Sequence, residues 1–288
     1  MSERRTTPKT VLTTGAIYTL LIAYLLATLF PMLWLFMTSL KPSAEVFDEP
    51  FAPPAIDNLA TDNFTRAWTT GSFGEYFFNS VAVTFATVVG VVFIGAMAAY
   101  ALARFAFPGA KALLFYFLGG LMIPLQLAVV PLFFQLKAMG LLSSRFGLVL
   151  VYIAVGLPFA IFILTGFFRS LPKSLHEAAL LDGCTEFGAF WRIMLPLARP
   201  GLITVAIFSF IGTWNEYFLA FMFLSGEGSE NLRTLPLGLA NITIVSQYEV
   251  DWGMVFAGLV LIVVPTLFIY LMLQRHLTKG VTLGAVKG

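Results

Sequence analysis

Charge is what this 288-residue chain has least of. Lys, Arg, Asp and Glu together make 11% of it, where soluble domains carry about 25%. With 59% apolar residues and a mean hydropathy of +0.88, that scarcity excludes a soluble domain and implies an integral membrane protein. The net charge of +2 is too small to suggest nucleic acid. A single cysteine, Cys184, excludes an internal disulfide framework and reads as a small buried hydrophobe. Two histidines, His176 and His276, form no ligand spacing, so neither a metal centre nor a catalytic cluster is expected; both read as solvated or capping residues. No G-x4-G-K-[ST] loop is present to cradle a nucleotide phosphate. No small-x-small cleavage site closes the first apolar run, Val11 to Leu40, and that run is too long for a signal-peptide core of about 7–15 residues. It reads as a retained first helix.

What the chain does have is apolar length. A helix crosses the hydrocarbon core with about 20 mostly apolar residues. Six segments qualify: Leu12–Leu40, Val81–Leu102, Leu113–Leu136, Leu148–Phe168, Leu202–Leu224 and Met254–Leu273. The first is long enough to tilt or to extend beyond the bilayer. Six spans leave both termini on one side. Twelve of the 17 basic residues fall in the segments on that side, among them Arg4, Arg5, Arg104, Lys173 and Arg275. Positive charge marks the cytoplasmic face, so both termini are expected in the cytoplasm, with Pro42–Asn79 and Ser225–Gly253 outside. The first outer loop, rich in proline and acids ("DEPFAPPAIDN"), reads as an irregular cap with little fold of its own. The second has an apolar centre, Leu232 to Val245, interrupted by Pro236 and Gly238 and too short to span. It is either a partly re-entrant segment buried by protein or a surface amphipathic one.

One cytoplasmic stretch breaks the pattern. "HEAALLDGCTEFGAFWRIMLPLARPG", His176 to Gly201, is helical in character and half apolar, yet too polar to span. Ser174 followed three residues later by Glu177 predicts a capping box and a helix start at Ser174, which makes Glu177 a capping acid on its first reading. Gly183 predicts a left-handed stop, and Thr185 an N-cap for a second helix running to Pro196. The first helix is expected to expose Ala178, Ala179, Leu180 and Leu181, and the second to supply Phe187, Phe190 and Trp191. Something other than lipid must cover these faces.

The spacing E-A-A-x3-G-x9-I-x-L-P, from Glu177 to Pro196, resembles the loop by which membrane subunits of binding-protein-dependent ABC importers engage their ATPase. "YFFNS" (Tyr76–Ser80), "MIPLQ" (Met122–Gln126), "TWNEYFLAF" (Thr213–Phe221) and "GVTLGAVKG" (Gly280–Gly288) are similar to the second, maltose-permease-like subunit of the carbohydrate-uptake branch. The resemblance runs from about Leu20 to the last residue. It implies an all-α integral membrane fold: six transmembrane helices of the type I ABC importer fold, with a coupling-helix loop between the fourth and fifth. It implies one permease domain over residues 1–288, its core from about 70 and its coupling loop at about 170–200, in a bacterial inner membrane. Glu177, Ala178, Ala179, Gly183, Ile193, Leu195 and Pro196 are then the residues that contact the ATPase. The implied partners are a sister permease subunit, two ATP-binding subunits and an extracytoplasmic sugar-binding protein. No cofactor is expected on this chain, ATP and Mg being held by the partner subunits. The tail from Lys279 to Gly288 would reach between those subunits.

Two other classes fit less well. An ion-coupled secondary transporter calls for ionisable groups near the midplane and a repeat of broken segments, and only Glu216 lies clearly within a span. A membrane-embedded lipid enzyme calls for clustered His, Asp or Cys. For a neutral sugar the expected groups are planar amides and aromatic faces: Gln126, Trp214, Asn215 and Tyr217 along the pathway. Gln126 can equally bond carbonyls freed by Pro124 and Pro131, and Asn79 reads first as a helix N-cap. Regular helix geometry puts Trp214, Tyr217 and Phe221 on one face. Glu216, pointing elsewhere, is expected to pack against a neighbouring helix or subunit as a structural group.

Overall fold

The structure, a computed structural model, describes residues 8–226, 228–245 and 250–285. Arg4 and Arg5, Ser246 to Glu249 of the second outer loop, and residues 286–288 of the tail lie outside the described residues. All regular structure among the described residues is helical: α1 (Pro8–Thr38), α2 (Glu45–Asp48), α3 (Asp62–Thr69), α4 (Phe73–Arg104), α5 (Ala110–Gly120), α6 (Leu125–Ala138), α7 (Arg145–Ser170), α8 (Lys173–Leu181), α9 (Glu186–Ala189), α10 (Leu195–Leu197), α11 (Arg199–Trp214), α12 (Phe218–Leu224), α13 (Leu235–Val245) and α14 (Trp252–Ala285). A π-helical turn, Phe190–Met194, joins α9 to α10.

Among the described residues, helices α1, α4, α7 and α14 are each long and apolar enough to cross a membrane, and the number is up to six where each of two bent pairs counts as one span. The third expected span is not continuous. α5 and α6 meet at 99°, because Pro124 has no N–H to give and holds Ile123 out of the helical region. The fifth is also broken, at Asn215–Tyr217 between α11 and α12, and α11 itself turns 74° from the helical run Glu186–Leu197 that precedes it.

The chain divides into two compact units. The first comprises Met1–Gly71 with Ile242–Leu261. Here the first outer loop is folded, contrary to the reading of it as an irregular cap. Asn63 of α3 is fully buried, and its amide donates to the Ser39 and Lys41 carbonyls, each at 2.9 Å. Asp251 accepts from Ser43 Oγ at 2.5 Å, pairs with Arg66 at 2.8 Å and caps α14 through the Met254 N–H. A string of acids and prolines reads as solvated until one asparagine supplies partners for otherwise unpaired carbonyls.

The second unit comprises Ser72–Asn241 with Ile262–Gly288. Its spine is the parallel pair α4 and α7, brought close by small residues: a Cβ on Gly95 would lie 2.9 Å from that of Ala160. One apolar cluster gathers Val83, Leu148, Val151, Leu219, Phe223 and Leu237; a second gathers Val91, Ala99, Leu164, Phe168, Phe190 and Met194. α4 starts eight residues before the expected span, so Asn79 lies in its second turn and is not an N-cap. Its amide donates to the Asn231 and Arg233 carbonyls at 2.8 and 3.0 Å and accepts from Arg145. Ser80 Oγ accepts from the Leu235 N–H at 2.8 Å. These bonds hold the start of α13, where every residue from Thr234 to Asn241 is buried or half-buried. Of the two readings of this segment, burial by protein is the one the structure shows.

Replacing Asn79 by Leu is expected to leave two carbonyls and the Arg145 guanidinium without their partner, a loss of about 1–3 kcal/mol. A lower thermal midpoint of the detergent-purified protein would register it, and an unchanged midpoint would contradict the latch.

Candidate functional sites: an elbow and an intramembrane break

The elbow follows α7. Arg104 Nη2, at the end of α4, donates to the Leu171 carbonyl at 3.0 Å and ties down the turn into α8. The N-cap of α8 is Pro172, and the helix begins at Lys173, so Ser174 and Glu177 form no capping box. A proline's fixed φ starts a helix without a side-chain acceptor, which leaves Glu177 exposed and outside any cap. Gly183 ends the turn at φ +83°. The Cys184 N–H returns to the Ala179 carbonyl at 3.0 Å and the Gly183 N–H to Leu180 at 3.1 Å, the paired bonds of a Schellman stop. Thr185 then caps α9, accepting from the Gly188 N–H at 3.1 Å, and His176 Nε2 meets Glu186 Oε2 at 2.8 Å across the corner.

The elbow has two faces. Ala179, expected to be exposed, is 2% exposed and packs inward with Ala189, Phe190 and Met194; Phe190 likewise turns inward, its ring 5.0 Å from Tyr100 of α4 and 6.4 Å from Phe168 of α7. Ile193 and Leu195 are half-buried. The opposite face carries Glu177, Ala178, Gly183 and Pro196 in the open. At its tip Leu181 is 89% and Phe187 67% exposed. Such a surface, rigidly backed by two long helices and bare of cover, has the chemistry of a protein contact.

The break between α11 and α12 is organised by Glu216. One carboxylate oxygen accepts from the Leu219 N–H at 2.8 Å; the other accepts from the Ala220 N–H at 3.2 Å and from Tyr152 Oη of α7 at 2.5 Å. A span interrupted in lipid must find acceptors for its freed N–H groups, and a carboxylate at a helix start also suits the dipole. Helical facing does not survive the break. Trp214 is 2% exposed, its indole N–H donating to the Ile262 carbonyl at 3.0 Å and its ring stacking on Phe210. Asn215 is exposed and donates to the Ile211 carbonyl, while Tyr217 stacks on Phe221. Gln126 is exposed at the start of α6, just past the bend.

Glu216 also borders a cleft of about 330 Å³ between α4, α7 and α11, whose lining includes Thr87, Tyr152 and Ser209 among apolar walls. Thr87 is 1% exposed, and its hydroxyl has no partner among the described residues. A buried unpaired hydroxyl costs about 1–3 kcal/mol. Neither Thr87 nor Tyr152 stands out in the sequence. Their only signal was polarity inside long Val, Leu and Ile runs, which a threonine or tyrosine shares with many that bond their own helix. The structure sets Glu216 beside Tyr152 and Thr87; it does not join Trp214 to that cleft.

Against known proteins, residues 91–283 match the family described as the binding-protein-dependent transport system inner membrane component. The chain is 42% identical over 270 residues to the diacetylchitobiose uptake system permease protein of Streptomyces coelicolor, covering 94% of this chain and 88% of that one. It is 40% identical over 288 residues to the trehalose transport system permease protein of Mycobacterium tuberculosis, covering all of both. Its fold is similar to that of a chain in the crystal structure of a bacterial ABC transporter involved in the import of the acidic polysaccharide alginate. There the TM-score is 0.81 at 24% identity, over 93% of this chain and 98% of the other. The all-helical importer arrangement expected from the sequence is the one observed.

Glu216→Leu is expected to free two N–H groups and the Tyr152 hydroxyl at once, costing about 2–4 kcal/mol. Glu216→Gln keeps an acceptor and should lose less. Thermal midpoints of the two purified variants give the comparison, and equal midpoints would remove the carboxylate from this role.

Proposed function

We propose that this chain, which belongs to the family of binding-protein-dependent transport system inner membrane components, forms half of the translocation pathway of an ATP-driven carbohydrate importer. It sits in the bacterial inner membrane as a multi-pass subunit with both termini in the cytoplasm, the side that its basic residues favour. Residues 1–288 act as one permease domain. The single observation that carries the reading is the bare apolar tip of the elbow, Leu181 and Phe187, outside the six spans read from the sequence and backed by buried rings.

The tip docks into a groove of an ATP-binding subunit. Glu177, Ala178 and Pro196 border the contact, Gly183 gives it its corner, and Ala179, Ile193 and Leu195 fix it to the spans. The complete assembly contains two ATP-binding subunits, a sister permease subunit and an extracytoplasmic sugar-binding protein. ATP and Mg are held by the ATP-binding subunits, since this sequence has no phosphate loop of its own. Sugar passes near Gln126, Asn215 and Tyr217, with Trp214 as the packed support behind the last two. The relatives named for diacetylchitobiose and trehalose uptake support an oligosaccharide cargo.

Two measurements test this. Leu181→Glu with Phe187→Glu alters only exposed side chains, so insertion should be normal while co-purification of the ATP-binding subunits falls at least tenfold. Full co-purification would sink the docking. The unaltered assembly in proteoliposomes, with its binding protein, should hydrolyse ATP faster with at least one of maltose, cellobiose, trehalose or N,N′-diacetylchitobiose. Hydrolysis indifferent to all four, with uptake driven instead by an ion gradient, would overturn the importer reading.

A further inference from the structure

We infer that the cleft beside Glu216 is a saccharide subsite contributed by this chain, one that takes a neutral or amino sugar ring and turns away a uronate. The inference rests on the importer reading and adds to it a location and a ligand class. Its volume of about 330 Å³ lies at the lower end for ligand pockets, about 300–1,000 Å³, as suits part of an oligosaccharide.

The lining has the two components that sugar recognition needs. Phe159 and Phe208, edge to face at 5.4 Å, offer an apolar wall to the C–H face of a ring. The lining also carries groups able to exchange hydrogen bonds with hydroxyls. Thr87 is among the lining residues, and its buried Oγ1 has no partner among the described residues, so a turn about Cα–Cβ is what would present it to a sugar hydroxyl. Tyr152 Oη spends its proton on Glu216 and keeps lone pairs to accept with, and Glu216 Oε1 accepts only one of the bonds described. The space is real at its third side: a Cβ on Gly212, which also lines the cleft, would meet nothing within 4 Å.

Charge sets the ligand class. Among the described residues, Glu216 is the one carboxylic acid on the lining, and no Lys, Arg or His accompanies it. A carboxylate brought into the cleft would face a like charge with no cation to offset it, in surroundings that screen poorly. A neutral ring suffers no such penalty, and an amino sugar gains an attraction. The carboxylate at the helix break therefore serves twice: it closes the backbone of α12 and sets the sign of what enters.

The test uses the whole importer in proteoliposomes and whichever of the four panel saccharides stimulates it most. Gly212→Cys places a thiol in the open side of the cleft, with the unsubstituted chain as the blank for Cys184. Labelling of that thiol by a small maleimide during turnover should slow at least threefold with the saccharide and not with its C6-oxidised uronic acid. Thr87→Val should raise the half-saturating saccharide concentration about 3–10-fold, the loss of one hydrogen bond, at unchanged yield of the assembly. Labelling that the saccharide leaves unaltered, as when lipid or a neighbouring helix fills the cleft, overturns the subsite. So does protection by the uronic acid equal to that by the neutral sugar. Failure of the subsite alone leaves sugar-stimulated ATP hydrolysis intact, whereas failure of the importer reading removes that stimulation and the subsite with it.

Discussion

Every backbone polar group inside a bilayer has to find its partner within the protein, and the rest of this structure follows from where that demand is met. An unbroken, proline-free helix such as α4 meets it without help. The breaks do not, and each has its own remedy. At the corner between α5 and α6 the chain closes short turns, Leu121 N–H to Leu118 and Met122 N–H to Gly119, each at 3.0 Å. Between α11 and α12 no turn suffices, and Glu216 supplies both oxygens to the N–H groups of the new helix. A charge in a span is disfavoured by about 2.5–3.5 kcal/mol or more. The three donors that converge on Glu216 offset that cost and fix its place.

The same rule shapes the elbow. Outside the lipid its backbone can be irregular, so a Schellman stop, a threonine cap and a π-helical turn follow one another within about fifteen residues. Its side chains then divide by what covers them. Phe190 and Met194 pack in one cluster with Tyr100 and Phe168, and Ala179 is buried, whereas Leu181 and Phe187 are left bare. α7 connects this region to the break, since Phe168 packs on the elbow and Tyr152 bonds Glu216. Those two residues are sixteen apart, about 24 Å along one helix at 1.5 Å per residue.

Much was readable from the chain alone because the signals were local. The apolar runs gave the spans, Gly183 gave the left-handed corner, Thr185 gave the second cap, and the spacing from Glu177 to Pro196 carried the family likeness. Where the reading erred, a local signal had a stronger competitor. Ser174 and Glu177 look like a capping box, but Pro172 two residues earlier had already begun the helix. Asn79 looks like a cap, but α4 starts at Phe73. The acidic first outer loop looks solvated, but Asn63 and Asp251 bond groups close in space and distant in sequence.

The sequence by itself determined the class of protein, its long apolar helices and the elbow, since hydropathy and capping act between residues a few positions apart. Only the tertiary structure decided which side chains meet: Tyr152 with Glu216, Asn79 with the carbonyls before α13, Trp214 turned away from Asn215. Those pairings depend on where α11 stops being a helix. Past that point the 100° rule no longer says which way a side chain points, and the partner that orients it lies on another helix, 64 residues away for Tyr152 and Glu216.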